Sequence, residues 1–359
     1  MDRGDFYEVL ARRWRPRTFS QVVGQEPVVR TICNALRLGR TAQAYLFVGP
    51  RGTGKTTMAR LLASALAHPS NTSEFFDPEN PLCQAIWRGG HLDVEELDGA
   101  SHNSVEDIRA LQDRCAYAPA QGRHRIFIID EVHMLSTAAF NALLKTLEEP
   151  PAHVKFILAT TEVGKIPATV ASRCQRFQFR PIAVEDIVVH LKNLADAEKI
   201  GAEPSAIETI ARIANGSMRD AQSMLDQLIS FAGKNLREVD VLEFYAVPAR
   251  GELEALADAL LRRDWATVLA TAERWQGLDL CRAMADLVEI LRAKLLQCQG
   301  NREVRRELLT IIRTLDGYGQ TLALAISTKI TFTVGLLAAM EGVGRAGEGE
   351  FAGWRRENG

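Results

Sequence analysis

Residues 49–56 have the types and the spacing of a phosphate-binding loop. They fit the pattern G-x-x-x-x-G-K-[ST], filled here by Gly49, Pro50, Arg51, Gly52, Thr53, Gly54, Lys55 and Thr56. Glycines let such a loop turn its backbone N–H groups inward, where they receive phosphate oxygens. The lysine of the pattern reaches the β- and γ-phosphates, and the last hydroxyl binds Mg²⁺. The pattern predicts a nucleotide site, and we include the next residue, Thr57, in it.

A second candidate group stands at the end of residues 125–131. Four apolar residues precede Asp130 and Glu131, and such a run predicts a buried strand. Ligands bind at the carboxyl ends of strands in open α/β sheets. Asp130 is therefore placed to hold Mg²⁺, and Glu131 to polarise an attacking water as general base. The alternative is an acidic surface turn, which the phosphate-binding loop upstream makes weak.

The elements around these groups alternate between strand and helix. Residues 44–48 are a short apolar run before the loop, and residues 57–66 after it are rich in helix formers. Further strands are predicted at 92–97, 154–159 and 175–179, and helices at 27–38, 104–115 and 140–147. This βαβα pattern predicts an α/β fold with a parallel sheet covered by helices. Thr160 and Thr161 then stand at the carboxyl end of a strand.

From residue 181 onward the pattern predicts helices only. A small bundle is expected at 185–199, 205–214 and 219–232, and residues 68–90 are expected to be a loose segment without periodicity. Beyond about residue 240, leucines recur at helical spacing and predict a second helical set. The Gly-, Glu- and Arg-rich residues 342–359 are expected to be disordered.

Composition limits the function classes. The net charge is −2, so a DNA partner would have to be held by local clusters or by several assembled subunits. Six cysteines without a C-x-x-C pair are typical of reduced thiols in a cytoplasmic protein. We expect no signal peptide, and we expect the apolar stretch 322–340 to be a buried helix and not a membrane span, because it contains Lys329.

Residues 7–17 concentrate arginines. Such a segment is either a nucleic-acid-binding patch or the solvated face of a helix, and the second case is the commoner one.

Several phrases together resemble one family. They are LARRWRP at 10–16, VVGQE at 22–26, DEVHML at 130–135 and NALLKTLEEPP at 141–151. With the phosphate-binding loop, Thr160-Thr161, Ser172-Arg173-Cys174 and GSMRD at 216–220, they resemble the AAA+ clamp loaders, in particular the gamma/tau family of bacterial DNA polymerase III subunits. The resemblance is dense over residues 7–230.

The resemblance implies an architecture. It implies an AAA+ nucleotide-binding domain at 1–180, a helical lid at 181–240 and an all-α collar for oligomerisation at 241–341, before the tail at 342–359. It also implies ATPase activity within a DNA polymerase holoenzyme. The expected partners are other loader subunits in a hetero-oligomeric ring, a sliding clamp and the backbone of primer–template DNA.

The resemblance also implies roles for single residues. Lys55 and Thr56 would bind ATP and Mg²⁺, with Asp130 and Glu131 as the Walker B pair. Thr161 resembles sensor 1, which helps to place the attacking water and the γ-phosphate. The nucleotide's adenine would be framed by residues near the amino terminus, namely Tyr7, Arg12, Val22 and Val23.

Two arginines complete the implied site. Arg219 resembles sensor 2 and would touch the phosphates of its own subunit, whereas Arg173 resembles the arginine finger that acts on the ATP of a neighbouring subunit. Without the resemblance, Arg173 reads equally well as a surface arginine and Arg219 as a charge on a helix face.

The chain departs from the family at two places. Family members usually carry four cysteines in the segment corresponding to 68–90, where they bind zinc; this chain has Cys83 alone. One thiolate cannot form a closed tetrahedral zinc site, so we expect no zinc. The helix near 101–104, which faces DNA in the family, has no Lys or Arg before Arg109. Hydroxyls, amides and the helix N-terminus would have to make its DNA contacts.

Three competing functions remain to be weighed. Residues 130–133 also spell a D-E-x-H box, but a helicase of that type needs a second motor lobe, and residues 181–359 show no further strand–loop–helix units. A branch-migration motor of the AAA+ class is closer, but the context Ser172-Arg173-Cys174 and the helical C-terminal third fit a clamp loader better. A scaffold subunit that binds nucleotide without hydrolysis would be expected to lose Lys55 or Glu131, and both are present.

Overall fold

A computed structural model describes residues 8–68, 79–298 and 302–342. The chain divides into two compact units, Met1–Arg237 and Glu238–Gly359. Within the described residues, the first unit has two clusters of buried apolar side chains and the second has one.

A five-stranded parallel sheet forms the centre of the first unit, with strand order β2-β3-β4-β1-β5. The strands are β1 (Ala44–Val48), β2 (Val94–Asp98), β3 (Arg125–Asp130), β4 (Val154–Thr160) and β5 (Gln175–Gln178). Every residue of β1 and β4 is buried, as expected of strands covered on both faces. The predicted α/β sheet is confirmed, with β5 at an edge.

Helices cover both faces of this sheet. Alternate residues of β1 show the division, since Tyr45 and Phe47 belong to one buried cluster whereas Leu46 and Val48 belong to the other. The helices up to β5 are α1 (Leu10–Arg13), α2 (Glu26–Arg37), α3 (Lys55–Ala67), α4 (Pro81–Trp87), α5 (Val105–Cys115), α6 (Thr137–Glu148) and α7 (Ala168–Ala171).

A helical segment follows β5 within the first unit. It contains α8 (Val184–Glu198), α9 (Pro204–Ile213) and α10 (Met218–Ala232), at the positions that the sequence predicts. The prediction of helices only is wrong, however, because β6 (Gly201–Ala202) pairs with β7 (Asn235–Leu236) in parallel. Strands of two residues are too short to produce an alternating pattern in the sequence.

The segment 68–90 also differs from its prediction. Its described part contains α4, which begins where the side chain of Asn80 accepts a hydrogen bond from the N–H of Leu82. Asn at the N-cap with Pro next to it is a helix start signal, and the helix is too short for periodicity to reveal it. The rest of this segment, residues 69–78, lies outside the described residues.

Every secondary-structure element assigned within the described residues of the second unit is a helix. Its helices are α11 (Glu238–Tyr245), α12 (Arg250–Arg262), α13 (Trp265–Arg274), α14 (Leu280–Gln297), α15 (Arg302–Leu322) and α16 (Thr328–Glu341). The leucines predicted to share helix faces are buried in its core. So are Phe332, Leu336 and Met340 of α16, which confirms a buried helix there.

No helix in the described parts of the chain is long and apolar enough to cross a membrane. The division into nucleotide-binding, lid and collar domains at residues 180 and 240 stays a prediction, and so does disorder of the tail, since residues 343–359 lie outside the described residues.

A buried carboxylate holds one loop next to the sheet. Asp93, just before β2, accepts hydrogen bonds from the backbone N–H groups of Ala120, Gln121 and Gly122 at 2.6–2.7 Å. Burial raises the pKa of Asp93, but these three bonds outweigh it, so that the pKa lies below its ordinary value. Asp93 in this way connects the loop before β3 to the edge of the sheet.

We predict that Asp93→Ala lowers the free energy of unfolding by about 1–3 kcal/mol or more, because a single buried donor left unpaired costs that much. A carboxylate with a lowered pKa stabilises the fold above its ordinary pKa, and this contribution is lost as the pH falls through the folded value. The difference from wild type in urea unfolding should therefore shrink in acid. Asp113→Ala, at an exposed position of α5, is the control; equal effects of the two substitutions would refute the assignment.

Candidate functional site

The carboxyl ends of β1, β3 and β4 meet at one edge of the sheet. Parallel pairing sets Val48 beside Thr160 and Ile129 beside Leu158. The phosphate-binding loop leaves β1 at this edge, Asp130 ends β3, and Thr161 follows β4. The strand register therefore brings together groups that are far apart in the sequence.

The phosphate-binding loop is held closed by its own lysine. Lys55 is the first residue of α3, is 5% exposed, and donates from Nζ to the carbonyl oxygens of Gly49 and Pro50, each at 2.8 Å. Burial lowers the pKa of Lys55, and the carboxylates of Glu131 and Asp130 oppose this shift. An anion entering the loop would meet a buried ammonium group that donates its hydrogen bonds to the neutral carbonyls of Gly49 and Pro50.

Thr56 and Asp130 form a direct contact across the site. The hydroxyl of Thr56 donates to Oδ2 of Asp130 at 2.6 Å. Burial raises the pKa of Asp130, although the hydrogen bond from Thr56 opposes the shift. A hydroxyl and a buried carboxylate are hard oxygen ligands of the kind that Mg²⁺ prefers, so the two residues present fit the predicted metal.

Glu131 leaves the end of β3 in the left-handed region, with φ of 46°. Its Oε2 accepts a hydrogen bond from the hydroxyl of Thr161 at 3.1 Å. Thr161 therefore lies at the predicted site, and in this structure it contacts the second carboxylate. The backbone leaves little space here, because a Cβ on Gly99 would lie 2.7 Å from the carbonyl oxygen of Glu131.

The loop also touches the start of α10. Met218 N–H donates to the carbonyl oxygen of Gly52 at 3.1 Å, and a Cβ on Gly52 would lie 1.9 Å from Oγ of Ser217. Ser217 caps α10 by accepting from the N–H of Asp220. Arg219, in the first turn of that helix, is thereby brought to the phosphate-binding loop.

A cavity of about 870 Å³ opens over these groups. Thirteen of the predicted site residues line it: Arg12, Val22, Val23, Arg51, Gly52, Thr53, Gly54, Lys55, Thr56, Thr57, Asp130, Glu131 and Arg219. Gly49 and Pro50 contribute the carbonyls that hold Lys55, and Tyr7 lies outside the described residues.

Arg173 is not brought to the cavity. It is held at the surface, where Nη2 pairs with Glu148 at 2.7 Å and Nη1 donates to the carbonyl oxygen of Thr169 at 2.8 Å. Its side chain is 35% exposed. The first unit therefore presents Arg173 outward, where it cannot act on this cavity.

Sequence reasoning missed several residues of the cavity wall, among them Arg15, Arg60, Trp87, His190 and Gln222. Burial lowers the pKa of Arg15, and nearby Arg60 acts in the same direction. In the sequence, only the concentration of arginines at 7–17 could have indicated that Arg15 belongs to the site. Nothing in the sequence pairs His190 with Gln222, whose Nε2 atoms lie 2.9 Å apart although the residues belong to α8 and α10.

The segment predicted to face DNA uses its hydroxyls internally. Ser104 Oγ donates to Asp107 and accepts from its N–H to cap α5. Ser101 Oγ donates to Asp98 at 2.7 Å.

The described residues contain no group of three or more His, Cys, Asp or Glu that could hold a metal ion. The expected lack of zinc stays a prediction.

Family models match most of the first unit. One described as "DNA polymerase III, delta subunit" matches residues 24–183, and one described as "DNA polymerase III clamp loader subunit, ATPase lid domain" matches residues 186–234. A protein named DNA polymerase III subunit gamma, from Buchnera aphidicola subsp. Baizongia pistaciae, is 43% identical over 258 residues, which are 72% of this chain and 70% of that protein. The chain belongs to the gamma/tau family.

Two longer members of the gamma/tau family are also similar. DNA polymerase III subunit tau of Bacillus subtilis is 44% identical over 292 residues, 81% of this chain and 52% of the relative. The Escherichia coli subunit tau is 50% identical over 224 residues, 62% of this chain and 35% of the relative. The chain thus spans about half of one and a third of the other. Among solved structures, Thermotoga maritima RuvB aligns with a TM-score of 0.49 at 19% identity, over 69% of this chain and 79% of that one.

The contact between Gly52 and Ser217 generates a prediction. Gly52→Ala combines a left-handed φ of 73° with the 1.9 Å clash, whereas Gly39→Ala has a similar φ of 64° and nothing within 4 Å. We expect Gly39→Ala to cost about 1–2 kcal/mol of unfolding free energy from backbone strain alone. Gly52→Ala should cost more and should also weaken nucleotide binding, measured by urea unfolding and by calorimetric titration. Equal behaviour of the two variants would contradict the packing of the loop against α10.

Proposed function

We propose that this chain is an ATP-hydrolysing subunit of a replicative clamp loader, which opens a sliding clamp and loads it onto primed DNA. The observation that carries the proposal is the meeting of Lys55, Thr56, Asp130, Glu131 and Arg219 at one cavity. These are the groups that P-loop ATPases use, and here they occur in a chain of the gamma/tau family.

In the proposed mechanism the residues at the loop bind the phosphates. Lys55 exchanges its carbonyl partners for β- and γ-phosphate oxygens, and the backbone N–H groups at the start of α3 donate to the same anion. Arg219 adds a positive charge from α10. Thr56 and Asp130 would hold Mg²⁺, which supplies neutralisation of the phosphate charge when bound.

Glu131 is the proposed general base. Its carboxylate accepts the proton of the water that attacks the γ-phosphorus, while the bond from that phosphorus to the β–γ bridging oxygen breaks and ADP leaves. Thr161 holds this carboxylate through Oε2. Val22 and Val23 line the same cavity beside Arg12, and we assign them to the adenine end, where apolar side chains suit a flat aromatic base.

Arg173 is the proposed contact to a neighbouring subunit. Its exposed position away from the cavity suits a residue that completes the ATP site of the next subunit in a hetero-oligomeric ring. With a net charge of −2, the chain would contact the backbone of primer–template DNA as part of that ring. We place the assembly in the bacterial cytoplasm, in agreement with six cysteines that form no disulfide.

Steady-state ATP hydrolysis by the reconstituted complex tests the function, with and without clamp and primed DNA. We expect strong stimulation of hydrolysis only when clamp and primed DNA are both present. The variant Lys55→Ala should lose ATP binding, because the contact of the lysine with the phosphates is gone. Stimulation by DNA alone would indicate a motor, and tight ATP binding without hydrolysis would indicate a scaffold. Normal ATP affinity of Lys55→Ala would contradict the site itself.

Arg173→Ala should leave ATP binding by this subunit nearly intact and should lower the DNA-stimulated turnover of the complex by about 10³-fold or more, the usual contribution of an arginine finger. The measurement is again hydrolysis in the assembled complex. Arg30→Ala, at an exposed position of α2, controls for loss of surface charge. Turnover that survives in Arg173→Ala would contradict the action on a neighbour.

A further inference from the structure

His133 lies directly beside the proposed general base. It belongs to a short 3₁₀ turn, Val132–Met134, that follows Glu131, and its side chain is only 7% exposed. The phosphate-binding mechanism described above does not use it. A buried imidazole next to a base must nevertheless have partners for its ring nitrogens.

Both ring nitrogens have oxygen neighbours. Nδ1 lies 3.1 Å from Oγ1 of Thr160 and 3.4 Å from Oε2 of Glu131. Nε2 lies 3.3 Å from Oε1 of Glu162. The ring therefore stands between two carboxylates, one of which is the proposed base.

The position of the ring is fixed by the sheet. Thr160 is fully buried at the end of β4, and its hydroxyl oxygen also accepts a hydrogen bond from the N–H of Glu162 at 3.0 Å. Glu162 is itself paired with Lys165 at 2.9 Å. The imidazole thus has a buried, hydrogen-bonded hydroxyl beside Nδ1, whereas its neighbour at Nε2, Glu162, is half exposed.

Glu131 depends on such neighbours for its orientation. Its backbone has already left the strand, and within the described part of the chain its carboxylate contacts fall on Oε2, from Thr161 and His133. Glu131 also lines the cavity. An anchored Oε2 leaves Oε1 as the oxygen that can face a water molecule there.

We propose that His133 is a positioning residue for ATP hydrolysis, whose ring is held by the hydrogen bond between Nδ1 and Thr160 and lies against Oε2 of Glu131, so that Oε1 receives the proton of the attacking water. This inference rests on the proposed function, because it requires Glu131 to be the base. It predicts that His133 affects the chemical step and leaves nucleotide binding unchanged.

Three substitutions test the inference in the assembled complex. Asparagine places its amide close to the position of Nδ1, whereas glutamine places its amide close to that of Nε2. His133→Ala should lower kcat by up to roughly 10²-fold, the cost of a misplaced catalytic group, with KM and ATP affinity unchanged. His133→Asn should recover most of kcat, and His133→Gln should not.

The comparison of asparagine with glutamine remains informative if the alanine variant fails to fold. His153→Asn, at a partly buried histidine whose Nε2 lies 3.2 Å from the carbonyl oxygen of Cys115, should hydrolyse ATP like wild type. Equal recovery by His133→Asn and His133→Gln, a wild-type kcat in His133→Ala, or a loss of ATP affinity parallel to kcat would each overturn the inference. If the wild-type complex hydrolyses no ATP, the proposed function itself falls.

Discussion

The parallel pairing of β1, β3 and β4 is the constraint on which the whole site depends. Because Val48 pairs with Thr160 and Ile129 with Leu158, the loop after β1, the carboxylates after β3 and the hydroxyls after β4 end at the same level. A register shift of one residue would reverse which side chains are buried on each face. The 2.6 Å contact between Thr56 and Asp130 is a direct consequence of this register.

The site joins the phosphate-binding loop to the helix that follows the sheet. Gly52 accepts a hydrogen bond from the first residue of α10 and has no room for a side chain against Ser217. A nucleotide that changes the conformation of the loop would therefore also change the position of Arg219. Within the proposed function, this contact connects the phosphate-binding loop directly to the segment matched by the lid model.

Local patterns in the sequence predicted the sheet and most of the site, because each motif combines a strand end with its functional residue. The phosphate-binding loop and Asp130–Glu131 are of this kind. Arg15, His190 and Gln222 reach the cavity from separate elements, and a pairing such as that of α8 with α10 leaves no trace in spacing. Likewise α4 and the strands β6 and β7 are shorter than the stretch of sequence over which a helical or alternating pattern can be recognised. His133 was visible as part of a D-E-x-H box, but its contacts with Thr160 and Glu162 required the fold.

A structure of the assembled complex with a non-hydrolysable ATP analogue would test most directly whether this loop binds phosphate. We expect Nζ of Lys55 to leave the carbonyl oxygens of Gly49 and Pro50 and to contact the β- and γ-phosphates, with Arg219 at the same phosphates. A nucleotide bound elsewhere, with Lys55 still donating to the carbonyls of its own loop, would show that this loop is not the phosphate site.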